Sequence, residues 1–292
     1  MTSSRFRLFA ALLLPAVLSL SSASAADTAP HPGKFGWVDL VTTDPDAAIK
    51  FYTQLFGWTA QEVRGSRQRY TVLLNQGQPV AGVAYRRADD DKVGRGGARW
   101  IGSISVPDIQ AAAAAVTAAG GRVLVPPRQI EGRGWQAVAL DAEGAVFGLI
   151  VREKDREAAT SAKENNWAWV QLFASKPAEA GAFYRKALGY KIEEDTRTER
   201  PDDYLLSHDG VVCAGLTPLP EKAEKAGGRP GWLGYVRVAN VAATVKAAET
   251  AGGHVLLPPL DVPGSLQVAI IVDPLGGAIG LVGRPTSKEA SR

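Results

Sequence analysis

The chain has 292 residues, 46% hydrophobic and 22% charged, which is globular composition with length for one large domain or two small ones. Its formal net charge of +3, or +1 once Arg5 and Arg7 are discounted as part of a leader, argues against nucleic acid or an anionic membrane surface as partner. A single cysteine, Cys213, excludes disulfide staples, so stability must come from core burial.

Residues 1–25 read as a secretory signal. Arg5 and Arg7 form a basic start, Leu8 to Leu20 an apolar stretch, and SSASAAD a small-residue cleavage site. The expected location is therefore secreted or periplasmic, with no membrane attachment after the signal is removed. Lys34 to Thr42 then alternates as a strand, with Trp37, Asp39 and Val41 on one face and Val38 and Leu40 on the other. Asp44 followed by Pro45 signals a helix start. Ala48, Phe51, Tyr52 and Leu55 fall on one stripe of that helix, and Gly57 ends it. Three strand-like runs follow, WTAQEV, RYTVLLN and PVAGVAYR, so the unit is βαβββ.

A second unit echoes the first at an offset of about 64 residues, from Ala98 to Val151. Its helix starts at Asp108, the counterpart of Asp44. Residues 153–165 are charged and read as an exposed linker or short helix. The whole pattern then returns 132 residues on: WVDLVTTDPDAAIKFYTQLFGW becomes WVQLFASKPAEAGAFYRKALGY, with Trp37 on Trp169 and Gly57 on Gly189. A repeat of this kind sets the fold, because each copy buries its face against a neighbour. The expectation is an α+β chain of four βαβββ modules in two tandem halves, 34–152 and 166–284, with a tail at 285–292.

The acidic residue after the first strand, the A-x-x-FY-x-x-x-x-GW stretch and the late D-x-x-G turn resemble the vicinal oxygen chelate superfamily, which includes glyoxalase I, extradiol dioxygenases and bleomycin-resistance proteins. The resemblance spans most of residues 34–284 and implies two glyoxalase-like halves, each curling its sheet into a concave cup that holds a ligand. One half has the size of a whole glyoxalase-type subunit, so the chain is expected to be a monomer resembling a fused dimer. Metal-using members carry His, Gln or Glu on the first strand of a module and Glu on the last. The matching positions here are Trp37, Ile101, Trp169 and Leu233, and Gly82, Gly148, Gly215 and Gly280. None of these offers a metal ligand, so no metal and no other cofactor is expected.

Glycine inside a strand is unfavourable unless something approaches its backbone closely. The tryptophan rings, or a flat ligand stacked on them, are expected to occupy the volume a metal would need. The polar groups sharing the cup faces are Asp39 and Gln171, then Ser103 and Tyr235, then Ser105 and Arg237. Asp39 is the one candidate for a catalytic base; alternatively it is simply paired with a cation such as Arg237. The ligand-binding set read from the sequence is thus Trp37, Asp39, Ser103, Gly148, Trp169, Gln171, Tyr235, Arg237 and Gly280. His31, His208 and His254 form no recognisable cluster, and Cys213 in VVCAGL reads as a small buried hydrophobe. Three functions stay open: metal-free binding of a small, partly aromatic molecule; a lyase or dioxygenase with a metal site shifted to Asp39 and Gln171, or a metal-free isomerase; and a scaffold with both cups closed.

Overall fold

The computed structural model describes residues 31–64, 69–89, 97–131, 133–151, 163–198, 200–225 and 227–285. The expected signal, most of the linker and the tail from residue 286 lie outside these residues. The first half runs β1 (Phe35–Thr42), α1 (Pro45–Phe56), β2 (Thr59–Glu62), β3 (Tyr70–Asn75) and β4 (Gln78–Tyr85). It continues through β5 (Ala98–Ser105), α2 (Ile109–Ala118), β6 (Arg122–Ile130), β7 (Gly134–Leu140) and β8 (Val146–Val151). The second half repeats this order: β9 (Trp167–Ala174), α3 (Pro177–Leu188), β10 (Lys191–Glu194), β11 (Tyr204–His208) and β12 (Val211–Pro218). A short α4 (Glu221–Lys225) intervenes before β13 (Gly231–Arg237), α5 (Val241–Thr250), β14 (His254–Val262), β15 (Leu266–Val272) and β16 (Ala278–Gly283). Nothing in the repeat announces α4, which lies in the connection between the third and fourth modules.

The helix signals act as read. Asp44 accepts a hydrogen bond from the Ala47 amide, Pro45 occupies the first turn, and Gly57 closes α1 in the left-handed region at φ 67°. Asp108 caps α2 by accepting from the Gln110 and Ala111 amides. In α3 the cap position is Lys176, which provides no side-chain cap. There Glu143 of the first half accepts from the amides of Ser175 and Lys176 at 3.0 and 2.8 Å.

Each half forms one eight-stranded sheet, in the orders β2-β3-β4-β1-β5-β8-β7-β6 and β10-β11-β12-β9-β13-β16-β15-β14. Two modules therefore meet at an antiparallel seam, β1 on β5 and β9 on β13. The first sheet is strongly curled. In a flat sheet β3 and β7 would lie five strand spacings, about 24 Å, apart. Yet Arg133, on the turn just before β7, places its guanidinium 4.1 Å from the centre of the Tyr70 ring on β3.

The sheets bury their outer faces against helices and against each other's modules. One apolar cluster joins the first module to the fourth, through Leu40, Phe51, Tyr52, Val236 and Ile271. Another joins the second to the third, through Ile104, Phe147, Phe183, Tyr184 and Leu216. Matching hydrogen bonds sit inside these clusters. Tyr52 donates to Asp273 at 2.8 Å and accepts from Trp100; Tyr184 donates to Asp141 at 3.1 Å and accepts from Trp232. The FY stretch of each half thus locks onto the D-x-x-G turn of the other. Burial holds both tyrosines well above the ordinary phenol range, so they remain donors. The two contacts are counterparts of each other across the repeat.

Candidate functional site

Alternation along β1 sends Val38 and Leu40 to the helix side and leaves Trp37 and Asp39 on the inner face of the cup. Strand register then sets what faces each glycine. Asp39 lies opposite Gly82, Ser103 opposite Gly148, Gln171 opposite Gly215, and Tyr235 opposite Gly280. A Cβ at any of these glycines would collide with that neighbour's side chain, and at Gly82 with the Tyr70 hydroxyl as well. This corrects the expectation about volume. The groups crossing the glycines are the residues two places beyond the tryptophan positions, because the parallel pairing brings those residues level with the glycines.

In the first cup the tryptophan supports the group that crosses. Trp37 Nε1 donates to Asp39 Oδ1 at 2.9 Å and to Tyr70 Oη at 3.1 Å, and Tyr70 Oη donates to the same carboxylate oxygen at 2.7 Å. Arg133 Nη2 donates to Asp39 Oδ2 at 2.6 Å, with side-chain exposures of 18% for the arginine and 15% for the aspartate. Burial, and then the Asp39 charge, push the Tyr70 phenol far above its usual range, so it donates at any physiological pH. The carboxylate is held by three donors, two of which the sequence reading did not include. The expected alternative partner, Arg237, belongs to the other sheet; Arg133 of the same half takes the role. Its position on the β6–β7 turn explains why no periodicity pointed to it.

The wall of this cup is half-open. Val41, Ala84, Gln136 and Val138 are all partly exposed. Gln136 is a further polar group that the sequence reading missed. Its Nε2 is shut off from solvent and meets no acceptor among the described residues. Ser103 is buried on β5.

The second cup follows the same backbone with a different filling. Trp169 Nε1 donates to Gln171 Oε1 at 2.9 Å, repeating the first cup's geometry without charge. Around that pair Phe173, Leu233, Tyr235, Val268, Ile270 and Val282 form an apolar cluster. The structure therefore brings Trp37, Asp39, Ser103 and Gly148 together in one cup. It puts Trp169, Gln171, Tyr235, Gly280 and Arg237 in the other. A site shared by Asp39 and Gln171 is not formed, since they belong to separate sheets.

The metal that metal-using relatives carry does not fit these residues. Trp37 and Trp169 present N–H donors, the four glycines bring no side chain, and both Asp39 oxygens already accept from proton-bearing groups. Among the described residues no three His, Cys, Asp or Glu side chains converge. Cys213 is buried and its thiol is pushed up to about 11 by desolvation, which suits a packing role. A crevice of about 260 Å³ lies outside both cups, between α2 and α3. Its lining is largely apolar, with Pro107, Ala111, Ala115 and Leu188; its polar side chains are Ser105, His208 and Asp108, the last already engaged in capping α2.

Known proteins agree with this architecture. The chain is 31% identical over 262 residues to the anthracycline biosynthesis protein DauV of Streptomyces sp. (strain C5), covering 86% of this chain and 93% of that protein. Among solved structures, the Mn(II)-bound glyoxalase of Novosphingobium aromaticivorans aligns with a TM-score of 0.56 at 16% identity, covering 87% of this chain and 82% of that one. The 2,3-dioxygenase LapB of Pseudomonas sp. KL28 aligns with a TM-score of 0.59 at 14% identity, covering 88% and 94%. At such identities these two likenesses establish fold alone. The sequence profile of one superfamily matches residues 34–149 and again 167–280. The chain belongs to the Glyoxalase/Bleomycin resistance protein/Dioxygenase superfamily.

Proposed function

We propose that this is an exported, metal-free binding protein that takes a flat, partly aromatic small molecule into its first cup. The observation that carries the reading is the contrast in filling. One cup holds a fixed polar floor of Asp39, Tyr70 and Arg133 under a half-open wall, while the equivalent volume of the other is packed with apolar side chains. A floor locked by four hydrogen bonds keeps its shape without a ligand, which lowers the ordering cost of binding. Val41, Val72 and Val138 offer an apolar wall for a ring system, and Ser103 and Gln136 offer polar contacts for its substituents. DauV, similar over nearly its full length, is named for anthracycline biosynthesis, and anthracyclines are flat and polycyclic. Export rests on the signal-like residues 1–25.

The test copies the second cup into the first. Ser103→Tyr places a tyrosine opposite Gly148, as Tyr235 stands opposite Gly280. Hydroxylated anthraquinones titrated against the mature protein should quench tryptophan fluorescence. Ser103→Tyr should raise Kd at least tenfold while leaving the melting temperature near wild type. Retention of full affinity in a folded Ser103→Tyr protein would remove the first cup as the site.

A further inference from the structure

We infer a second binding site, for a carboxylate on an apolar body, at Arg237 in the second half. Arg237 ends β13 one alternation beyond Tyr235, next to Val282 on β16. Its backbone is pinned on both sides: the Arg237 amide donates to Asn166 O at 2.9 Å, and the Asn165 amide donates to Arg237 O at 2.7 Å. The side chain is half-buried. Its Nε and Nη2 are shut off from solvent and meet no acceptor among the described residues.

Those two nitrogens form the side-on edge of the guanidinium, which matches the two oxygens of a carboxylate. The same edge does that work twice elsewhere in this protein. Arg197 uses Nε and Nη2 on the two oxygens of Asp195 at 2.7 and 3.0 Å, and Arg87 uses them on Asp89 at 3.1 Å each. Arg237 instead pairs in register with Val282, a member of the apolar cluster of Tyr235 and Trp169. Burial, and then the Arg284 charge, weaken its hold on the proton.

The fold does not require an arginine here, since the equivalent position of the first half is Ser105. An unpaired buried cationic edge is unfavourable unless something else satisfies it. A carboxylate that enters as the half-exposed side chain swings about its methylene stem would pair with the edge. Arg284 would add long-range attraction, and the Tyr235 side would cover the apolar body. This site lies in the other sheet from the first cup and stands or falls independently of it.

Thermal melts of the mature protein with sodium benzoate, against the neutral isostere benzamide and matched sodium chloride, test the assignment. Benzoate at ten times its Kd should raise the melting temperature by about 3–5 °C beyond either control. Arg237→Ser, which copies Ser105, should abolish that difference, and Ser103→Tyr should keep it. In NMR of the wild-type protein the Arg237 Nε–H resonance should shift on adding benzoate. Equal responses in wild type and Arg237→Ser, or an unmoved Nε–H resonance, would overturn the site.

Discussion

The two cups share a backbone and differ at four paired inward positions that set charge and space. Asp39 stands where the second cup has Gln171, Ser103 where it has Tyr235, Val41 where it has Phe173, and Gln136 where it has Val268. Both keep the same brace, an indole N–H bonded to the residue two places on. The brace therefore belongs to the scaffold, and the charge and the space are particular to the first half. A duplicated fold of this kind can fill the cup floor of one copy with side chains and leave that of the other available for a ligand. The difference between the cups is open to attack at each paired position.

The largest expected effect is in the filled cup. The Tyr235 ring crosses Gly280 and is fully buried, so Tyr235→Ala leaves a cavity lined by residues that cannot close it. A loss of about 3–5 kcal/mol is expected, as for other large aromatic truncations in cores. Ser103→Ala, at the paired position, should change stability by less than about 0.5 kcal/mol. Urea denaturation of both variants measures the contrast; equal losses would mean that the first cup is as tightly packed as the second.

Next in size is the polar floor. Asp39→Ala strips the acceptor from Trp37, Tyr70 and Arg133 together and should cost about 1.5–3 kcal/mol. Gln171→Ala strips the acceptor from one donor, Trp169, and should cost about 1 kcal/mol. If the ion pair is the main term, adding Arg133→Ala to Asp39→Ala should recover part of the loss, since the cation is no longer left unpaired. A strictly additive double variant would show that the pair contributes nothing beyond its separate contacts.

How much of this could be read from the residues follows from what periodicity can carry. The repeat at 132 residues, the Asp44 and Asp108 caps and the FY stripe are local patterns, and they produce the elements and modules as expected. Alternation put Trp37, Asp39 and Ser103 on one face. What alternation cannot supply is depth of curl or the reach of a turn residue. Arg133 contacts Asp39 only because the sheet bends back through five strand spacings, and no spacing in the sequence encodes that. Tyr70 was hidden for a related reason, since its hydroxyl reaches Asp39 across the intervening β4. The bonding of Tyr52 to Asp273, and of Tyr184 to Asp141, joins residues far apart in the chain, although both motifs were visible separately.

The smallest effect has the sharper sign. Gln136 carries a desolvated amide nitrogen with no protein acceptor, whereas Val268 at the paired position is fully buried in apolar contact. Leaving such a donor unmet costs free energy in the ligand-free protein, so Gln136→Val should stabilise it by about 1 kcal/mol. Most polar-to-apolar changes facing a half-open cup would be neutral or harmful, so the sign itself discriminates. The same substitution should weaken anthraquinone binding, because the donor that is unmet in the free protein is the one a ligand carbonyl would meet. A gain in stability with a loss in affinity is the signature of a side chain kept for a ligand at the expense of the fold. If Gln136→Val instead lowers stability and leaves affinity alone, the amide serves packing, and the first cup is polar without being selective.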